Sequence, residues 1–333
     1  MRAIRRSLLF LPFVLLLSGC LEAAAPRQDP LLNGTNQASL TPTKNLPPSP
    51  LNDIKGDLGN QLIKMEKFMP GSRSKDYRTP AEEDRVVFAE IMLLVNDGSL
   101  KSARKLAEKN GYTLHRYIDQ QDSEAVSFLL LEETPVKNGW GMVVVRESGT
   151  NNVIIEAPHP VSDRGSEWVA MDLYRSLGAR ALLVAGAHRT ASGGSADVAN
   201  VAGSVFEAMH QALLYKAPIW GGKPLVLQVH GFSTAKHPEY PQVVLGYETG
   251  SSVVLETIVL ELRSSLEARG ISVGLCDGKS WRELCGTKNV QAASSKGAMF
   301  LHMEISEGLR AGDEVLIAAL REVLVGKGLL GGE

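Results

Sequence analysis

From residue 113 onward the hydrophobic pattern switches repeatedly between two periods, and this alternation restricts the fold more than any other feature of the 333-residue chain. Short apolar runs occupy 113–118, 126–132, 141–147, 152–159, 181–185, 224–230, 271–275 and 298–305. Helical spacing occupies 166–177, 197–215, 253–269 and 313–326. Strands joined through helices return in the same direction, so the pattern predicts an α/β fold: a mostly parallel, mixed sheet with helices on both faces. Residues 57–112 read as helical instead, with segments near 82–96 and 99–110 and Gly111 closing the second. The expected folded part is a helical N-terminal segment, 56–112, followed by an α/β domain, 113–333.

The first 55 residues have a different character. Arg2, Arg5 and Arg6 precede an apolar run from Leu8 to Leu17, about half the ~20 residues that span a bilayer. Leu17-Ser18-Gly19-Cys20 then resembles the bacterial lipobox. A lipoprotein signal peptide is expected at 1–19, with Cys20 lipidated and holding the chain to a membrane. Leu21, in place of an acidic residue, implies delivery to the outer membrane of the cell envelope, facing the periplasm or the cell surface. Residues 20–55 hold six of the 16 prolines among Asn, Thr and Ser, which reads as a flexible tether. Export leads to an oxidising compartment, so Cys276 and Cys285, nine positions apart, are expected to pair as a disulfide.

Several classes of function are excluded. With 35 Lys+Arg against 37 Asp+Glu there is no basic excess to bind nucleic acid. No G-x-S-x-G elbow and no glycine-rich phosphate loop follows a strand, which removes the α/β-hydrolase and nucleotide-binding readings.

In open α/β sheets ligands bind beyond the carboxyl ends of strands. Three strands here end in a histidine or a carboxylate: Ala157-Pro158-His159, followed by Asp163 and Glu167; Gln228-Val229-His230-Gly231; and Leu301-His302-Met303-Glu304. In the last, the period of two puts His302 and Glu304 on the face opposite Leu301 and Met303. Two imidazoles and a carboxylate from separate elements suit a zinc ion that keeps an open position for water, and a nearby glutamate suits proton transfer from that water.

The stretches APHPVSDRGSE, AGAHR, LQVHGF, GTKNVQ and FLHMEISEGLR resemble the zinc carboxypeptidase-like hydrolases, nearest the N-formylglutamate amidohydrolase and poly-γ-glutamate hydrolase group, over roughly residues 140–312. The resemblance implies Zn²⁺ held by His159, His230 and a carboxylate shortly after His159, with Glu304 as general base. It also implies that Arg189 or Arg310 holds a substrate carboxylate, and His188 and His302 are further candidates for substrate contact. In the peptidase pattern a Glu stands three residues after the first His; here that residue is Ser162. Asp163 is therefore the expected third ligand, with Glu167 as the alternative. The expected substrate is a small peptide, an N-acyl amino acid or a glutamyl compound. The departure at Ser162 also supports a second reading, a catalytically inactive binding lipoprotein on the same fold. Asp197 reads as a helix N-cap, Asn289 and Gln291 as possible hydrogen-bond donors to substrate, and His115, His210 and His237 as surface or packing residues.

Overall fold

The computed structural model describes residues 51–330 apart from 52, 149–150, 218–221 and 249–251; the expected signal peptide, Cys20 and nearly all of the tether lie outside the described residues. Ten strands are formed: β1 (Asp53–Gly56), β2 (Tyr112–Asp119), β3 (Ala125–Glu132), β4 (Met142–Arg146), β5 (Val153–Ala157), β6 (Ala181–Val184), β7 (Leu225–Phe232), β8 (Val243–Gly246), β9 (Val273–Leu275) and β10 (Met299–Ser306). They make one mixed sheet in the order β1-β2-β3-β4-β6-β5-β7-β10-β8-β9. The central run β6-β5-β7-β10 is parallel. Its segments ALLV, VIIEA, LVLQVHGF and MFLHMEIS are almost wholly buried, as strands covered on both faces must be.

The cover comes from helices on both sides. On one face α1 (Leu58–Glu66), α4 (Ser166–Ser176), α6 (Val253–Glu267) and α9 (Glu314–Gly326) pack against Ile155, Leu227, Val229, Leu301 and Met303. The apolar spacing 255, 258, 259, 262, 266 explains how α6 seats itself there. On the other face α2 (Glu82–Asn96), α3 (Leu100–Lys109) and α5 (Val205–Lys216) pack against Ile154, Leu183, Val226 and Phe300. Four short helices complete the described order: 3₁₀ turns at Ala191–Gly194 and Arg282–Leu284, α7 (Val290–Ser294) and α8 (Glu307–Arg310).

The second face decides where chemistry can occur. Along it three of the central strands, β5, β7 and β10, begin apolar and turn polar toward their carboxyl ends: Ile154 then Glu156, Val226 then Gln228 and His230, Phe300 then His302 and Glu304. Register lines Glu156 up with Gln228 and Gln228 with His302, and sets His230 beside Glu304.

Three expectations need correction. The stretch 197–215 is not one helix: α5 begins at Val205, where the Ser204 hydroxyl accepts from the Glu207 amide at 3.0 Å. The expected tether boundary at 55 falls inside β1, because Asp53–Gly56 pairs in parallel with Arg116–Asp119. Residues 57–112 do not stand aside as a separate segment, since the buried residues of α2 and α3 enter the core of the second face. Among the described residues, no helix is long and apolar enough to cross a membrane. Cys276 and Cys285 are joined by a disulfide with Cα atoms 5.7 Å apart.

Candidate metal centre

His159 follows the end of β5, and the chain then folds straight back. The amides of Ser162 and Asp163 donate to the His159 carbonyl (3.1 and 2.8 Å), which returns the Asp163 carboxylate to the His159 ring. A spacing of four is thus met by one closed turn. His230, near the end of β7, reaches the same point: Asp163 Oδ2 lies 3.4 Å from Nδ1 of His159 and 3.4 Å from Nδ1 of His230. The two rings stand edge to face with centroids 5.0 Å apart. All three residues are buried, and their ligand atoms lie within 4.8 Å of one another.

The outer nitrogens of both rings are already engaged. His159 Nε2 donates to Asp197 Oδ1 (2.8 Å), and Asp197 is held in turn by Arg189 (Nη2 to Oδ2, 2.7 Å) and Asn200 (3.0 Å). His230 Nε2 donates to Gln228 Oε1 (2.8 Å). With Nε2 carrying the proton, each neutral ring presents a bare lone pair at Nδ1. The His159 Nδ1 is buried without a hydrogen-bond partner. Two nitrogen lone pairs therefore converge on a carboxylate oxygen that accepts from the Gly231 amide (3.3 Å), with no hydrogen between the nitrogens and that oxygen, an arrangement costly to bury and suited to a cation.

The electrostatics keep Asp163 charged: burial raises its pKa, but the neighbouring His159 and His230 outweigh burial and hold it well below the usual carboxylate range. For His230, burial and then the nearby His302 push the pKa down to about 4, which keeps the ring neutral as a ligand must be. For His159, burial works downward and the neighbouring Asp163 and Asp197 work upward, with a net rise, so a bound cation would displace any proton held at Nδ1. Asp197 is drawn down to about 2, because its bonds to His159 and Arg189 exceed the effect of burial.

Glu304 sits on β10 directly across from His230 and is buried. His302 lies under the same roof. Its ring is 4.3 Å from that of His230, its Nε2 is 3.3 Å from Glu304 Oε1, and neither of its nitrogens makes a hydrogen bond. A cavity of about 380 Å³ opens beside it, walled by Tyr247, Gly286, Asn289 and Phe300 among others. The disulfide borders this cavity through Cys285.

The remaining predicted residues fall in different places. Glu167 is in the first turn of α4, where its carboxylate accepts from the Gly165 amide (3.1 Å) outside the His-Asp-His triangle, and burial raises its pKa to about 7. Arg189 directs its guanidinium to Asp197. Arg310 donates from Nε to the Arg164 carbonyl (2.8 Å) and from Nη1 to the carbonyls of Phe232 and Ile305. It leans so closely over Gly231 that a Cβ there would collide with it. Among the described residues Arg310 makes no ion pair. His188 is partly exposed and its Nδ1 accepts from the Thr190 amide (3.2 Å).

Asp197 was read as a helix cap, and its actual partners are His159 and Arg189. Asn289 is the cap of α7, accepting from Ala292 N at 2.9 Å, and its amide donates to Gln228. His210 was read as surface or packing; it is fully buried and paired with Glu156 at 2.6 Å.

No family model and no curated protein matches the chain. Solved structures to which the chain is similar include an N-formylglutamate amidohydrolase from Ralstonia eutropha JMP134 (13% identity, TM-score 0.39, covering 57% of this chain and 98% of that one). A bacteriophage poly-γ-glutamate hydrolase is similar at 12% identity and TM-score 0.36, over 53% of this chain and 84% of its own. A metallo-carboxypeptidase from Burkholderia cenocepacia is similar at 12% identity and TM-score 0.38, over 70% and 67%.

Proposed function

We propose that this chain is a zinc-dependent hydrolase of amide bonds, held to the bacterial envelope by a lipid on Cys20, and that it acts on a carboxylate-bearing peptide, N-acyl amino acid or glutamyl substrate. The observation that carries the reading is the buried convergence of His159 Nδ1, His230 Nδ1 and Asp163 Oδ2. Zinc held there supplies a water acidified toward a pKa of ~7 and a Lewis acid for the scissile carbonyl. Asp197 and Gln228 orient the two imidazoles from behind.

Glu304, on the strand next to His230, takes the proton released as water attacks the carbonyl and returns it to the departing nitrogen. His302 borders the cavity with two unused nitrogens and is placed to hydrogen-bond the part of the substrate lodged there. A half-buried guanidinium whose partners are neutral carbonyls retains attraction for an anion, so Arg310 is the better holder of the substrate carboxylate. Arg189 serves the metal centre through Asp197.

The test is hydrolysis of glutamyl amides and N-acyl amino acids by the full chain, with metal removed and restored. Activity lost to a chelator and regained with zinc supports the proposal. A folded, zinc-loaded protein inert toward the whole panel supports the binding-lipoprotein reading instead.

A further inference from the structure

Behind His230 the sheet contains a buried polar chain of which only Gln228 touches a residue of the proposed metal centre. Gln228 donates from Nε2 to Glu156 Oε2 (2.9 Å) and to Gln291 Oε1 (3.2 Å), and its Oε1 accepts from His230 and from Asn289. Glu156 presents its other oxygen to His210 Nδ1 at 2.6 Å, and His210 Nε2 meets Ser295 Oγ at 3.2 Å. Glu156, His210, Gln228 and Gln291 are completely buried.

Three groups that have no choice of role fix the direction of every bond around Gln228. Gln291 donates from Nε2 to the Val198 carbonyl (2.9 Å), which can only accept, so Gln291 turns its oxygen to Gln228. Asn289 accepts at Oδ1 from the Ala292 amide (2.9 Å), which can only donate, so Asn289 turns its NH₂ to Gln228. Glu156 Oε2 is an acceptor whichever of Glu156 and His210 holds the proton in the 2.6 Å gap between them. All three demands agree: the Gln228 amide nitrogen faces Glu156 and Gln291, and its oxygen faces His230. An oxygen there requires a hydrogen on His230 Nε2, which leaves Nδ1 bare.

We propose that Gln228, clamped by Glu156, Gln291 and Asn289, is a positioning residue that locks His230 in the Nε2–H tautomer, so that only Nδ1 can serve an ion shared with His159 and Asp163. The inference rests on the metal-centre reading and extends it to residues that never touch the ion. A free imidazole interchanges tautomers readily; here a fully satisfied buried network makes the choice before any metal arrives.

Long-range ¹H–¹⁵N correlation spectra of the metal-free full-length protein, labelled at histidine, read the tautomer directly. His230 protonated at Nε2 alone is the expected result, and a ring protonated at Nδ1, or a mixture, overturns the lock. Zinc affinity measured by chelator competition adds a second arm. Gln228→Leu, near in shape but with no acceptor, is expected to give a mixed tautomer and a roughly 10–100-fold weaker zinc affinity. Gln291→Met removes one clamp without touching His230 and is expected to weaken zinc less than Gln228→Leu; should Gln228→Leu fail to fold, Gln291→Met and the wild-type spectrum decide. Unchanged affinity and tautomer in a folded Gln228→Leu protein overturn the inference. Wild-type protein that takes up no zinc defeats the metal-centre reading instead, while the tautomer signal still judges the lock.

Discussion

Arg116, toward one edge of the sheet, and His159, at its centre, are both polar groups set among carboxylates, yet their surroundings differ in one respect. Arg116 binds Asp53 and Glu147 at 2.8 Å each; nearby, Arg146 binds Asp122 (2.7 Å), and Arg175 binds Asp57 (2.7 Å) and Asp119 (2.9 Å). Each of these cations has its acids, so the charged groups of the β1–β4 side are self-sufficient in ion pairs. At the carboxyl ends of β5, β7 and β10, acceptors face acceptors. His159 Nδ1 has no hydrogen-bond partner, His302 has none at either nitrogen, and Glu167 is buried without a cation bound to it. Single buried atoms without a partner also occur elsewhere, at Glu66, Arg85 and Asn96, but at the carboxyl ends of β5, β7 and β10 several of them face one point, which marks it as the place where something else is meant to bind.

Four substitutions sharpen the contrast, beginning with the strongest. Glu304→Gln is expected to lower kcat by roughly 10²–10⁴-fold while leaving zinc content at the wild-type level, read by steady-state kinetics beside metal analysis. Equal activity in the variant removes Glu304 from the mechanism.

Glu167 tests the incomplete region through pH. Its folded pKa of about 7 lies above the ordinary carboxylate value of 4.5, mainly through burial. The folded state therefore holds the proton more tightly, and the contribution is fully present below about pH 4.5 and is lost as pH rises through about 7. Denaturant melts of the wild type are expected to lose up to about 3 kcal/mol from this group between pH 5 and pH 8, and Glu167→Gln to remove that slope. Parallel pH profiles of the two proteins contradict the assignment.

Asp197→Asn keeps the shape but weakens the hold on His159 Nε2, and chelator competition is expected to show a 10–100-fold loss of zinc affinity. Arg116→Ala, on the self-sufficient side, is expected to cost no more than about 1 kcal/mol in melts and to leave zinc affinity and turnover untouched. Loss of metal binding in Arg116→Ala would dissolve the distinction between the regions.

How far the sequence could be read depends on periodicity. Helix α2 is legible to the residue, Glu82–Asn96, because its apolar positions recur regularly and acids crowd its first turn. The central strands are legible as apolar runs, and the histidines at their ends followed from strand-end logic. Asp197 was not legible. It lies 38 positions from His159 in an aperiodic loop, and only tertiary folding brings the two to 2.8 Å. Strand β8 was missed because four residues, Val243–Gly246, carry too little pattern to separate from a loop. Glu156 and Gln228 left a trace that went unused: a single polar residue inside a strand buried on both faces, which burial makes costly unless it has a partner.

The central claim is that an ion belongs between His159, Asp163 and His230. Diffraction from zinc-soaked crystals of the full chain, recorded on both sides of the zinc absorption edge, tests it most directly. The account predicts one anomalous peak about 2.0–2.2 Å from Nδ1 of both histidines and from the Asp163 carboxylate. A peak elsewhere, or none at this triangle, contradicts it.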